Sequence, residues 1–98
     1  MNRDDILKFL KSMKNNNIEK IGLFGSYSRE DESLTSDIDI ALKFKDDFLK
    51  KCDPWDYFKI IEEIREKVLK KFHTKVDIFD LDSISPYKKN ISKEAIYV

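Results

Sequence analysis

Residues 21–44 read IGLFGSYSREDESLTSDIDIALKF, and the fold turns on how this stretch divides. Ile18 to Phe24 read as a short, mostly buried strand that stops at Gly25 and Ser26. From Asp37 onward the sequence alternates cleanly. Ile38, Ile40, Leu42 and Phe44 fall on one face, and Asp37, Asp39, Ala41 and Lys43 on the other. Two strands joined by a polar turn are therefore expected, with the apolar face of the second packed on helices and its carboxylates turned away from them.

Outward from this unit the chain supplies those helices. Upstream, Asp4 or Asp5 caps a helix in which Ile6, Phe9, Leu10 and Met13 recur at helical spacing. Asn15, Asn16 and Asn17 stop it, because Asn tolerates the left-handed conformation at a helix end. Downstream, residues 45–53 read as an irregular charged connection. Asp53 then caps a long helix with Pro54 at its first position. Tyr57, Ile60, Ile61, Ile64 and Val68 form its buried stripe, and Lys67, Lys70 and Lys71 complement its dipole. A third strand follows from Lys75 to Phe79. Strand, helix and strand in that order imply a right-handed crossover, hence parallel pairing of the second and third strands. Ser85 and Pro86 open a short helix to about Glu94, and Ala95 to Val98 read as an extended end. The expected architecture is α/β (α+β), a small three-stranded mixed sheet against roughly four helices, with residues 1–98 forming a single domain.

Composition narrows the function. Charged residues reach 39%, well above the usual quarter or so, but Lys plus Arg and Asp plus Glu both count 19 and cancel. That balance argues against a broad basic surface, so direct DNA binding is not expected. Cys52 is the lone cysteine, which permits no internal disulfide and suits a reducing cytoplasm. No apolar run approaches the roughly 18 residues of a membrane span, and no signal peptide is expected.

The chemistry lies in the carboxylates. Asp37 and Asp39 project from one face of a strand about 7 Å apart along the backbone, close enough to converge on one or two cations. Oxygen donors without nearby His or Cys point to magnesium or manganese rather than zinc. Asp77 is the expected third carboxylate, since its neighbours Val76 and Ile78 turn inward and leave it facing out. Asp80 has the opposite parity and Asp82 lies past the strand. Gly25 lets the backbone approach a phosphate, Ser26 adds a hydroxyl donor, and Arg29 supplies a cation for a triphosphate tail. Each feature has a blander reading: Asp37 ending a strand, Asp77 solvated on the surface, Gly25 and Ser26 making a simple turn. His73, the sole histidine, serves a helix end, and Cys52 is incidental. Trp55 and Tyr57 read as core or helix-packing residues.

Gly25 and Ser26, ten intervening residues, then Asp37, Ile38 and Asp39 match the GSx10DxD signature, and Ser36 completes an SDID run. In these residues the chain resembles the DNA polymerase beta superfamily of nucleotidyltransferases. It is most similar to the minimal nucleotidyltransferases, small prokaryotic antitoxins of HEPN-domain ribonucleases. The likeness spans the leading helix, the motif, the long helix, Asp77 in VDIFD and the closing EAIYV. It departs from the common GSxARG form at Ser28 and Glu30, and Glu30, Asp31 and Glu32 add negative charge beside the proposed phosphate site. The resemblance implies that Gly25, Ser26 and Arg29 hold ATP, and that Asp37 and Asp39 bind two Mg2+ ions. Asp77 would bind the ion that activates the acceptor. It further implies AMP transfer to a tyrosine hydroxyl of a HEPN-domain toxin and a hetero-oligomer with that toxin. The alternatives are a non-catalytic module that neutralises its partner by contact, or transfer to a small-molecule or RNA acceptor.

Overall fold

The structure, a computed structural model, describes residues 3–15, 17–25, 37–83 and 85–98. Among these the chain runs α1 (Arg3–Met13), β1 (Ile18–Phe24), β2 (Ile38–Phe44), α2 (Asp46–Lys51) and α3 (Pro54–Phe72). It continues through β3 (Val76–Asp80), α4 (Lys88–Glu94) and β4 (Ile96–Tyr97). The strands form one sheet in the order β3-β2-β1-β4. β1 runs antiparallel to β2 and to β4, whereas β2 and β3 are parallel, as the crossover through α3 requires. No helix among the described residues is long and apolar enough to cross a membrane.

Period-two alternation in β2 decides which face is filled. Ile38, Ile40, Leu42 and Phe44 are wholly buried, together with Ile6 and Leu10 of α1, Ile21 and Leu23 of β1, and Val68 of α3. Burying each such side chain contributes about 1.5–3 kcal/mol, so this single helix-covered face supplies most of the hydrophobic stabilisation. The other face carries Asp39, Ala41 and Lys43, and it bears the candidate site.

Helix α3 starts and stops as its sequence indicates. Asp53 Oδ1 accepts from the Asp56 backbone N–H at 2.8 Å, and Pro54 occupies the first turn. Ile64 and Val68 are buried, and Tyr57, Ile60 and Ile61 pack against the same cluster. At its end His73 takes the left-handed conformation with φ 54°, and its N–H reaches the Leu69 carbonyl at 2.7 Å. The helix-end role read for His73 is thus a backbone one. The described asparagines do not adopt positive φ. After α1 the Asn15 side chain instead accepts from the Asn17 N–H at 2.8 Å, a local turn that redirects the chain into β1.

Five expectations are corrected. Residues 45–53 are not irregular throughout: Asp46–Lys51 forms α2, with Asp46 and Asp47 in its first turn and Lys50 and Lys51 in its last. Its Phe48 ring meets Phe44 at 5.1 Å, so tertiary packing holds a helix too short to stand alone. Helix α4 begins at Lys88, after a turn in which the Ser85 hydroxyl and carbonyl accept from the N–H groups of Tyr87 and Lys88. β3 is shifted by one residue, to Val76–Asp80. The sheet has four strands rather than three, because the expected extended end pairs as β4, with Val98 N–H donating to the Ile21 carbonyl at 3.0 Å. Finally, Trp55 is no packing residue, being 78% exposed.

β4 can pair only because its partner is a glycine. A Cβ on Gly22 would lie 2.8 Å from the Ile96 carbonyl carbon and 2.9 Å from the Tyr97 Cα, inside van der Waals contact with backbone. Gly22→Ala is expected to push β4 off the sheet at a cost of about 1–3 kcal/mol. Urea unfolding, with amide exchange at Val98 as the local probe, measures it. An unchanged midpoint with Val98 still protected would contradict the account.

Tyr57 ties α3 to the end of β3. Its hydroxyl donates to Asp80 Oδ2, and Asp80 Oδ1 accepts from the Asp82 N–H at 2.8 Å, which shapes the turn after the strand. Burial, then the hydrogen bond and the charge of Asp80, push the Tyr57 hydroxyl well above the ordinary tyrosine range, so it remains a neutral donor. Asp80 is therefore committed to the helix side, in keeping with its parity.

Candidate active site

β2 lies between β1 and β3, and the register brings the chemistry together. Asp39 has Phe24 as its Cα partner on β1 and Asp77 on β3. Neighbouring strands lie about 4.8 Å apart, so Asp39 and Asp77 stand side by side on the open face, with Asp37 two residues up the same strand. Asp77 is exposed, whereas Asp37 and Asp39 are half-buried. The sequence-based choice of Asp77 over Asp80 and Asp82 agrees with this placement. Asp80 faces α3, and Asp82 is held by Lys43 Nζ at 2.7 Å. That hydrogen bond raises the Lys43 pKa, with Coulombic help from Asp82 and Glu19 outweighing partial burial.

Gly25 has φ +73°, the left-handed region open to glycine. A Cβ there would overlap Asp39 Oδ2 and come within 3.2 Å of Asp39 Cγ. Gly25 is therefore packed against the Asp39 carboxylate, and its absent side chain is what lets the two approach. Ser26, Arg29 and the acidic run Glu30 to Glu32 lie outside the described residues. Gly25→Ala is expected to cost about 1–2 kcal/mol in backbone conformation and to displace Asp39. Activity should fall about tenfold or more for a shift that moves a carboxylate by an ångström. Retained activity at unchanged thermal midpoint would argue against this contact.

Two residues at the site were not singled out from sequence. The rings of Phe24 and Phe79 meet edge to face at 6.2 Å, reaching over β2 from either side beside Asp39. Parity could have found them, since Phe24 lies opposite Asp39 and Phe79 two residues beyond Asp77. Ala41, whose Cα partners are Gly22 and Phe79, is wholly buried on the same face. The carboxylates thus stand next to a patch of low polarity, where charge interactions are stronger than in open water.

Among the described residues, Lys75 brings a cation to the site, its Nζ 4.0 Å from Asp37 Oδ2. Both groups are solvated, so the pair contributes little to stability. Among the described residues no group of three His, Cys, Asp or Glu side chains closes tightly enough to hold a metal ion. Asp37, Asp39 and Asp77 nonetheless fit a hard divalent cation in kind: they are oxygen donors on one face, two of them adjacent across a ladder.

The open face of this mixed sheet thus carries aspartates at the start of two adjacent parallel strands. The polymerase beta nucleotidyltransferase family profile matches residues 5–98. The chain therefore belongs to the polymerase beta nucleotidyltransferase family and is a nucleotidyltransferase. Its relatives include two proteins of Methanocaldococcus jannaschii. "Putative protein adenylyltransferase MJ1379" is 39% identical, over 83% of this chain and 77% of its own length. "Putative protein adenylyltransferase MJ1217" is 35% identical, over 83% and 76%. Among solved structures, that of a toxin–antitoxin with AMP-PNP is similar with TM-score 0.57 and 30% identity, over 87% of this chain. This chain spans 61% of that longer one. A putative minimal nucleotidyltransferase shares the fold with TM-score 0.63 at 19% identity, over 96% of this chain and 86% of the other.

Proposed function

We propose that this chain is an antitoxin that transfers AMP from ATP to a tyrosine hydroxyl of a HEPN-domain toxin in the cytoplasm. The observation that carries the reading is the pairing of Asp39 with Asp77 across the parallel ladder, with Gly25 shaped around Asp39. Relatives named as adenylyltransferases support AMP as the transferred group, and the toxin–antitoxin solved with AMP-PNP, an ATP analogue, supports ATP and a toxin partner.

Asp37 and Asp39 would hold the divalent ions, two Mg2+ with Mn2+ able to replace them, and Asp77 would be a further ligand. When bound, the ions neutralise charge on the attacking and leaving oxygens of an in-line displacement. Gly25, Ser26 and Arg29 seat the triphosphate. Asp77, the most exposed of the three carboxylates, takes the tyrosine proton as the phenolic oxygen attacks the α-phosphorus. The bond from that phosphorus to the bridging oxygen breaks, and pyrophosphate leaves with the electron pair. The chain forms no covalent intermediate, so it needs no Cys or Ser nucleophile.

Mass spectrometry of a HEPN-domain toxin incubated with this chain, ATP and Mg2+ tests the reading. One or more AMP increments are expected on a tyrosine of the partner, and none with Asp37→Asn. A stable complex without any increment would instead make this chain a contact-only antitoxin. AMP found on RNA or a small molecule would reassign the acceptor.

A further inference from the structure

The outer side of α3 carries what its inner side cannot explain. Trp55 is 78% exposed and Phe58 60%. They stand one turn apart, and Glu62 and Glu66 continue the same ridge at i+4 spacing. With Lys59 and Glu63 these side chains line an open groove of about 510 Å³. In a chain of zero net charge, this groove holds three glutamates against Lys59, and it keeps a net negative charge even when the Arg65 paired with Glu62 is counted. Arg65 bonds Glu62 at 3.0 Å from within the same helix, which leaves Glu63 and Glu66 facing solvent.

We propose that this ridge docks a cationic amphipathic helix of the protein acceptor, its apolar residues on Trp55 and Phe58 and its Lys or Arg on Glu62, Glu63 and Glu66. Large aromatics are frequent anchors of protein contacts, and an amphipathic helix docks by laying its apolar face against such a surface. Phe58 is partly fixed beforehand, its ring edge-on to Tyr57 at 5.8 Å. A second copy in a two-fold contact would bring acidic rim against acidic rim, and an anionic bilayer would be repelled. The complementary occupant is basic. Ile64 and Val68 pin α3 to the helix-covered face, so a partner held on the ridge leaves Asp37, Asp39 and Asp77 uncovered on the opposite face. The inference rests on the function proposed above only in taking the acceptor to be a protein.

Trp55 is the single tryptophan, so its emission reads the ridge directly. The probe is a Leu/Lys amphipathic peptide of about 18 residues, five helical turns, titrated into the whole chain; a Leu/Glu peptide of the same pattern is the control. A saturable blue shift with the Leu/Lys peptide alone is expected. It should weaken about tenfold in a Glu62→Gln, Glu63→Gln, Glu66→Gln variant and disappear with Phe58→Glu. An unmoved emission, equal shifts from both peptides, a shift on raising protein concentration alone, or a shift with neutral vesicles would each overturn the proposal. Repeating the titration with Asp37→Asn protein, where docking should persist, separates a failure of docking from a failure of transfer.

Discussion

Asp39→Asn is expected to lower nucleotidyl transfer by on the order of a thousandfold or more, equivalent to about 4 kcal/mol of transition-state stabilisation. Among the described residues, Asp39 is the carboxylate with site residues on both flanking strands: Asp77 is its partner on β3, Phe24 on β1, and Gly25 leaves room for its Oδ2. Asn keeps the shape but removes the charge that a divalent cation needs, so the loss should fall on turnover rather than on folding. Because Asp77 is a like charge on the adjacent strand, removing the Asp39 charge also relieves repulsion. The thermal midpoint is therefore expected to hold within about 4 °C, a change of under 1 kcal/mol for a domain of this size. Single-turnover transfer measured against the natural chain, with circular dichroism melts in parallel, provides the check. A variant within tenfold of the parent would remove Asp39 from the reaction.

Phe44→Ala is expected to act in the opposite sense, destabilising the fold by about 3–5 kcal/mol. Phe44 is wholly buried at the far end of β2 from Asp37, and its ring meets Phe48 of α2 at 5.1 Å and Tyr57 of α3 at 5.4 Å. Truncation opens a cavity where three elements join and removes the surface on which α2 folds. Domains of this size are stable by only about 5–15 kcal/mol, so a large fraction of the total would go. Urea unfolding should show the midpoint displaced by this amount, while transfer per folded molecule stays near the parent value because the carboxylates lie at the other end of the strand. Loss below about 1.5 kcal/mol would mean the ring is replaceable by its neighbours.

How much of this was legible in the sequence depended on whether a residue's role was set by its own element. The alternation of β2, the stripe of α3 and the cap at Asp53 are local patterns, and the structure follows them. The selection of Asp77 over Asp80 followed from parity alone. What escaped was set by distant partners. α2 has only Phe48 and Leu49 to offer a core and owes its form to Phe44. β4 is a strand because Gly22, far away in the chain, leaves room for it. Trp55 misled because a large aromatic in an amphipathic helix suggests burial. Its spacing from Tyr57, Ile60 and Ile64 already put it on the other side.

The parity of β2 and β3 also bears on how the chain avoids folding wrongly. Ile38, Ile40, Val76 and Ile78 face inward only while Asp37, Asp39 and Asp77 face outward. A slip of one residue in either strand exchanges the two sets, driving carboxylates under the helices and isoleucines into water. Burying even one unpaired carboxylate costs several kcal/mol, so the misaligned sheet is rejected as it forms. The aspartates proposed to handle phosphate thus also act as alignment marks during assembly. Neutralising Asp39 and Asp77 together would loosen the proofreading of strand pairing as well as the chemistry.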